Sequence, residues 1–179
     1  MALPTFVAID FETAGNYPGA VCAVGLVRVE RGRIKRRIRQ LIRPPRSHVA
    51  YTEIHGITWQ DVADKPDFGQ AWPLLAPVLE GAAFLAAHNA GFDRAVLLKA
   101  CRHFGLRPPD IEFRCTVRLA RRVLGIRPAR LDHVCGVLGI DLNHHEALSD
   151  AEACARIMLA ALKAERESAS MPGVPAADE

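Results

Sequence analysis

Asp10 and Glu12 stand one residue apart in VAIDFETAG (7–15), at the end of an apolar run. Burying an unpaired charge is costly, so acids in this setting need a reason. Side chains at i and i+2 of a strand point to the same side. Both carboxylates therefore reach one location at the strand's C-terminal end, the edge where ligands sit in open α/β sheets. Like charges held together repel unless a cation lies between them. Hard oxygen ligands at close range suit Mg²⁺ or Mn²⁺. A salt-bridged or surface acid pair explains this fragment equally well.

Two further fragments carry similar groups. In HNAGFD (88–93) a buried strand ends, a glycine-containing turn follows, and Asp93 opens a helix. An acid there complements the helix dipole and caps free amides, which is a sufficient reason for it. His88 and Asn89 are accounted for by hydrogen bonds within the turn. In HHEALSDA (144–151), Asp150 lies in the first turn of the last helix and His145 five residues earlier. Five helical steps turn a side chain by about 140°, so the two cannot share a helix face. A cooperating His145 must sit on the preceding loop and lean over the helix start. The alternative makes Asp150 a first-turn acid and both histidines solvated.

Together the fragments meet one chemical need. Hydrolysis of a phosphodiester calls for two divalent metals about 3.5–4 Å apart. It also calls for a base with a pKa near neutrality, and histidine is the natural choice. Four carboxylates at element ends and one histidine are that set.

The elements that must position these residues follow from hydrophobic pattern. Residues 5–10 read as a central strand buried on both faces. Residues 20–30 and 33–42 flank Arg31-Gly32 and predict a β-hairpin. In its second arm Ile34, Ile38 and Ile42 are expected on one face, and Lys35, Arg37 and Arg39 on the other. Residues 68–79 read as helical despite Pro73 and Pro77, and 82–88 as a short buried strand. A helix over 92–104 stops at Gly105. Residues 112–115 predict a short strand, and 116–123 and 130–138 predict helices. A long Ala-, Leu- and Glu-rich helix is expected over 147–163. Hairpin-joined strands followed by alternating helices and strands define an α/β class, a mixed sheet covered by helices. The domain is expected over 1–165, with the small, Pro- and Gly-containing segment 166–179 as a disordered tail.

Composition bounds the rest. A chain of 179 residues, 50% hydrophobic and 24% charged, supports a single globular domain with a sizeable core. No apolar run reaches the ~20 residues of a membrane span, and no basic region precedes the first apolar stretch, so neither a membrane location nor a signal peptide is expected. Five scattered cysteines, none in CxxC spacing, suit reduced thiols and a cytoplasmic setting. A net charge of +3 names no partner, so the placement of the arginines matters more.

The ordered motifs AIDFETAG, HNAGFD and HHEALSDAEA resemble the three exonuclease motifs of the DnaQ-like superfamily, in its DEDDh type. That type includes the proofreading epsilon subunit of bacterial DNA polymerase III. The likeness runs from about residue 5 to residue 162, and His55-Gly56-Ile57-Thr58, Cys115–Arg121 and Arg43-Pro44-Pro45 also match. It implies a ribonuclease-H-like fold with a five-stranded mixed sheet, and a 3′→5′ exonuclease that releases nucleoside monophosphates. Carried over, Asp10 bridges two metal ions, Mg²⁺ or Mn²⁺. Glu12 and Asp150 complete the site of the metal that activates water, and Asp93 supports the second. His145 is the general base, since the family spacing to Asp150 selects it over His144. The sibling DEDDy type has Tyr in that role, but Tyr17 and Tyr51 are both remote from the third motif. The resemblance also implies substrate contacts at Thr13, Ile54, His55 and Phe92, with Thr13 meeting the 3′-terminal nucleotide. Many relatives have Thr-Thr-Gly after the Glu, where this chain has Thr13-Ala14-Gly15.

Two basic clusters remain: Lys35, Arg37 and Arg39, and Arg118, Arg121, Arg122, Arg127 and Arg130. Each could meet phosphates, but solvated faces are the commoner meaning of such runs. The implied partner is nucleic acid, DNA before RNA, with a polymerase or repair partner compatible. An exoribonuclease and a non-catalytic nucleic-acid-binding accessory domain are the alternatives.

Overall fold

The computed structural model describes residues 3–170. Strands β1 (Phe6–Thr13), β2 (Val21–Glu30) and β3 (Arg33–Leu41) form an antiparallel meander. Two four-residue helices follow, α1 (Thr52–His55) and α2 (Trp59–Val62), then α3 (Phe68–Leu75) and a 3-10 turn at Ala76–Leu79. The expected helix over 68–79 thus tightens at Ala76, where Pro77 cannot donate to an α-helical ladder. Strand β4 (Leu85–Ala87) leads to α4 (Ala90–His103), β5 (Phe113–Cys115), α5 (Thr116–Arg122), α6 (Leu131–Leu138) and α7 (Ala147–Ser170). The sheet order is β3-β2-β1-β4-β5, with β4 and β5 parallel to β1. This is the mixed five-stranded α/β architecture that the motifs implied.

Helices cover both faces. Val7, Ile9 and Phe11 of β1 pack with Phe68, Trp72, Leu97 and Cys101 from α3 and α4. Phe6 and Ala8 point to the other face and pack with Ala151, Cys154, Ala155 and Met158 of α7. A second stripe of α7, Ala153 and Ile157, packs against Leu131 and Val134 of α6. Buried on two sides, α7 needs small residues at most inward positions, which accounts for its alanine content. It is longer than expected: residues 166–170 continue the helix, and 171–179 lie outside the described residues.

The β3 expectation is corrected by a bulge. Val29 pairs with Ile34 and Arg28 with Arg36, so Lys35 is the extra residue. Pairing therefore changes parity. Ile34 joins the α7 side of the core, and Ile38 and Ile42 the α3–α4 side. Arg37 and Arg39 then face the α7 side, where they pair with Glu152 of α7 and Glu146 just before it.

Gly25 sets the height of α7 above the sheet. It lies opposite Asp10 in the β1–β2 ladder. A Cβ there would fall 2.0 Å from the Ala147 carbonyl oxygen and 2.7 Å from the Leu148 nitrogen. Only glycine lets the helix start sit this close, and that approach brings Asp150 over β1.

Candidate active site

Strand β1 outruns its parallel neighbour. Its pairing with β4 ends at Ala8–Ala86, whereas β1 continues to Thr13. The projecting end carries Asp10 and Glu12 into an open cleft of about 460 Å³. Beyond β4 the backbone N–H of Phe11 lacks a strand partner, and Asp93 Oδ1 accepts it at 3.2 Å. Asp93 thus bonds across 82 residues as well as within the first turn of its own helix. The N-cap of α4 is Asn89, held at φ +75° with no side-chain capping bond.

Asp150 arrives from the opposite layer, in the first turn of α7. Its Oδ2 accepts the His145 backbone N–H at 3.1 Å and lies 2.9 Å from Nδ1 of His144. His145 stands on the loop before α7 at φ +68°, leaning over the helix start as the rotation argument requires. The two imidazoles stack with centroids 3.8 Å apart, so both histidines face the cleft but only the His144 ring touches Asp150.

Ligand oxygens of Asp10, Glu12 and Asp150 all lie within 4.8 Å of one another. Burial is the first cause of the raised pKa at each of the four acids, and mutual repulsion the next at Asp10 and Glu12. Asp10 stands well above the usual carboxylate range, with Asp93, Asp150, Glu12 and Glu146 all adding to the burial effect. Glu12 is pushed up to about 8. Hydrogen bonds from Phe11 and its own backbone restrain the rise at Asp93, and His144 with the His145 amide restrains that at Asp150.

A hydrogen-bonded structural cluster would satisfy its oxygens internally. Here Oδ1 of the buried Asp150 has no hydrogen-bond partner, which is rare for a native polar atom. Oxygen-only donors, mutual repulsion and an orphaned oxygen fit hard divalent cations. Asp93 completes the acidic set from the far side of β1.

The cleft has two unlike walls. On one stand Tyr51, Ile54 and Phe92, exposed by 39%, 54% and 48%; they are three of the five large hydrophobics left exposed among the described residues. His55 ties this wall to β1: Nδ1 accepts the Ile57 N–H at 3.1 Å, so Nε2 carries the proton and donates to the Thr13 carbonyl at 3.3 Å. Burial pushes the His55 pKa down and keeps this neutral form. The other wall holds His88, Leu131, His144 and His145. His88 was assigned from sequence to its own turn, but it reaches further. Its Nε2 donates to the Ala129 carbonyl at 3.0 Å, and Nδ1 accepts from the Thr116 hydroxyl at 2.9 Å. All nine site residues expected from sequence line the cleft except Asp93, which sits behind it on Phe11. Gly25, His88 and Tyr51 were not anticipated. Gly25 alone had a legible signal, a glycine inside an apolar strand.

This sheet order and acid-lined cleft define a ribonuclease-H-like nuclease. The chain belongs to the RNase T exonuclease family, whose profile matches residues 7–158, and the fold neighbours include DEDDh members. It is 33% identical over 162 residues to the PolC-type DNA polymerase III of Thermotoga maritima, covering 87% of this chain and 12% of that protein. It is 32% identical over 160 residues to exodeoxyribonuclease 10 of Escherichia coli K12, covering 84% of this chain and 66% of that one. A solved complex of exonuclease X with 5′-overhanging duplex DNA superposes with a TM-score of 0.72 at 28% identity, over 88% of this chain and 91% of that one. The chain thus spans a small part of the polymerase relatives it matches and about two thirds of exodeoxyribonuclease 10.

Proposed function

We propose that the chain is a metal-dependent 3′→5′ exonuclease that shortens DNA from single-stranded or frayed 3′ ends and releases nucleoside monophosphates. The observation that carries this reading is the close carboxylate cluster of Asp10, Glu12 and Asp150 with its unpartnered, buried Asp150 oxygen. DNA is favoured over RNA because relatives and a solved neighbour at 28% identity or more are described by exodeoxyribonuclease activity or bound DNA.

Asp10, Glu12 and Asp150, with Asp93 in support, would hold two Mg²⁺ or Mn²⁺ ions. When bound, these ions lower the pKa of water and stabilise charge on the reacting phosphoryl oxygens. The residues do the rest. The apolar wall of Tyr51, Ile54 and Phe92 packs the terminal base, and the Thr13 segment, braced by His55, meets the 3′ end. His145 accepts the proton of the attacking water. The water oxygen bonds to phosphorus as the bond to the upstream 3′-oxygen breaks, and that oxygen takes a proton from solvent to become a 3′-hydroxyl. A proofreading or repair setting in the cytoplasm, with a polymerase or repair protein as partner, accords with this reading and with five free cysteines.

Labelled single-stranded DNA and RNA of equal sequence, incubated with Mg²⁺ or Mn²⁺, test it against an Asp10→Ala control. Metal-dependent shortening of DNA, lost in the control, is expected. Preferential shortening of RNA would make the chain an exoribonuclease. Binding of both without shortening of either would leave a non-catalytic accessory domain.

A further inference from the structure

The cleft floor creates a problem for its own substrate. Four carboxylates repel a phosphodiester backbone, and bound metal ions offset this only at the scissile phosphate. A strand entering the cleft needs cations elsewhere, and the net charge of +3 does not say where.

Residues 113–131, FRCTVRLARRVLGIRPARL, contain six arginines and no Asp or Glu. The structure separates this segment from the other basic cluster. Arg37 is paired with Glu152 of α7 and Arg39 with Glu146, just before that helix. Arg114 pairs with Glu112 and Arg130 with Asp132. Arg118, Arg121, Arg122 and Arg127 are exposed and take part in no ion pair among the described residues. Arg118 and Arg122 lie one turn apart on α5, so they share a helix face with Arg121 at its margin.

The segment is fastened to the cleft at both ends. His88, which lines the cleft, bonds Thr116 at the start of α5 and the Ala129 carbonyl just before α6. The seven residues of α5 span about 10 Å. Arg127 is two residues from Ala129, at most ~7 Å of chain away. The segment that carries these unpaired arginines is therefore anchored at the histidine-bearing wall, across from the apolar wall that suits a base.

We propose that Arg118, Arg121, Arg122 and Arg127 form a phosphate track for the strand 5′ of the scissile bond, so that the enzyme acts on polymers in preference to very short oligonucleotides. The inference rests on the exonuclease reading for the direction of the strand. It adds a second binding surface outside the acidic cleft. Terminal base on the apolar wall and remaining backbone on the arginine strip give the cleft its polarity.

The test compares wild type with an Arg118→Glu/Arg121→Glu/Arg122→Glu variant. Binding of a fluorescein-labelled single-stranded DNA of roughly 20 nucleotides is followed by anisotropy with Ca²⁺ in place of Mg²⁺, and cleavage of it and of a dinucleotide is followed with Mg²⁺. The variant is expected to bind the long strand about tenfold or more weakly, and its salt slope to flatten by about two for three lost contacts. KM for the long strand rises in step, whereas KM for the dinucleotide moves by about twofold or less. The Arg→Lys triple variant restores binding, which separates lost charge from lost folding. Lys35→Glu/Arg36→Glu, on the β3 edge, binds as wild type. Unchanged binding of the long strand, or equal losses on both lengths, overturns the track. Charge-dependent binding without cleavage of DNA or RNA by the wild type keeps the track and overturns the exonuclease reading.

Discussion

The two halves of β1 share one strand and one alternation but do opposite work. Phe6, Val7, Ala8 and Ile9 have no exposed surface, and each side chain meets apolar partners on its own face. Asp10 and Glu12 continue the Phe6–Ala8 face, and there α7 offers Asp150 instead of another alanine. Apolar groups meet apolar groups along one half, and acids meet an acid along the other. The first half stabilises the fold. The second opposes it, and that opposition is what a metal site requires: oxygens held close by the surrounding core, with no arginine or lysine paired to them among the described residues.

The sharpest way to break this contrast is Asp10→Asn. It removes one repelled charge and keeps the shape. Cleavage is expected to fall about 10³-fold or more, the loss of several kcal/mol of transition-state stabilisation that the proposed metal role of Asp10 implies. Thermal stability in EDTA should rise by about 2–4 °C for each kcal/mol of repulsion relieved. A variant that loses activity and also loses stability would show that Asp10 holds the fold rather than a metal.

His145 and His144 test the contrast within the site. His145→Ala is expected to lower kcat by about 10²–10⁴-fold, the usual worth of a positioned base. His144→Ala removes a bond to Asp150 and should cost about tenfold or less. The reverse ranking would transfer the role of base to His144, the histidine whose ring already touches Asp150.

Gly25→Ala attacks the join between the halves. The new Cβ would meet the Ala147 backbone, so α7 must lift or β2 must bend. We expect a loss of about 1–3 kcal/mol on thermal melting. A displacement near 1 Å of Asp150 should also cost about 10²-fold in kcat. Gly136→Ala on α6 is the control. Nothing lies within 4 Å of its Cβ position and no positive φ is required, so it should stabilise by about 0.5–1 kcal/mol and leave kcat alone. Equal activity losses in the two variants would detach Gly25 from the site.

The sequence made the chemistry legible before the geometry. Asp10, Glu12, Asp93 and Asp150 each have an ordinary structural reading alone and stand out only as a set, and His145 is selected over His144 by the resemblance's spacing. The five strands and the longer helices followed from apolar runs and periodicity, whereas the four-residue helices α1 and α2 did not. What hid was everything set by long-range register. The bulge at Lys35 reversed the face of Ile34 relative to Ile38, because one extra residue shifts parity without changing composition. The reach of Asp93 to Phe11 depends on β4 being shorter than β1, which no local pattern records. His88 looked like a turn residue because its partners, Thr116 and Ala129, lie 28 and 41 residues away.

The smallest effect concerns pH, and it sets the acid end of β1 against the surface acids. Glu12 sits at about 8, and Asp10, Asp93 and Asp150 are also raised, so these acids bind more protons in the folded protein than in the unfolded chain. Burial lowers His55 and His88, which act in the opposite sense only below the ordinary histidine value of 6.5. Stability without metal must therefore fall as pH climbs from about 6.5 to 8. The exposed Asp132 and the half-buried Glu152 stand near 2, pulled down by arginine partners, and are fully ionised throughout that window. They add no slope there; their loss belongs to more acidic solutions. Melting in EDTA should show a downward slope of stability over about pH 6.5–8. Mg²⁺ or Mn²⁺ should reverse it, because a cation among the carboxylates favours their charged forms and binds the folded state alone. A flat profile in EDTA, unchanged by either metal, would mean that the four acids are not the repelling cluster on which the contrast along β1 depends.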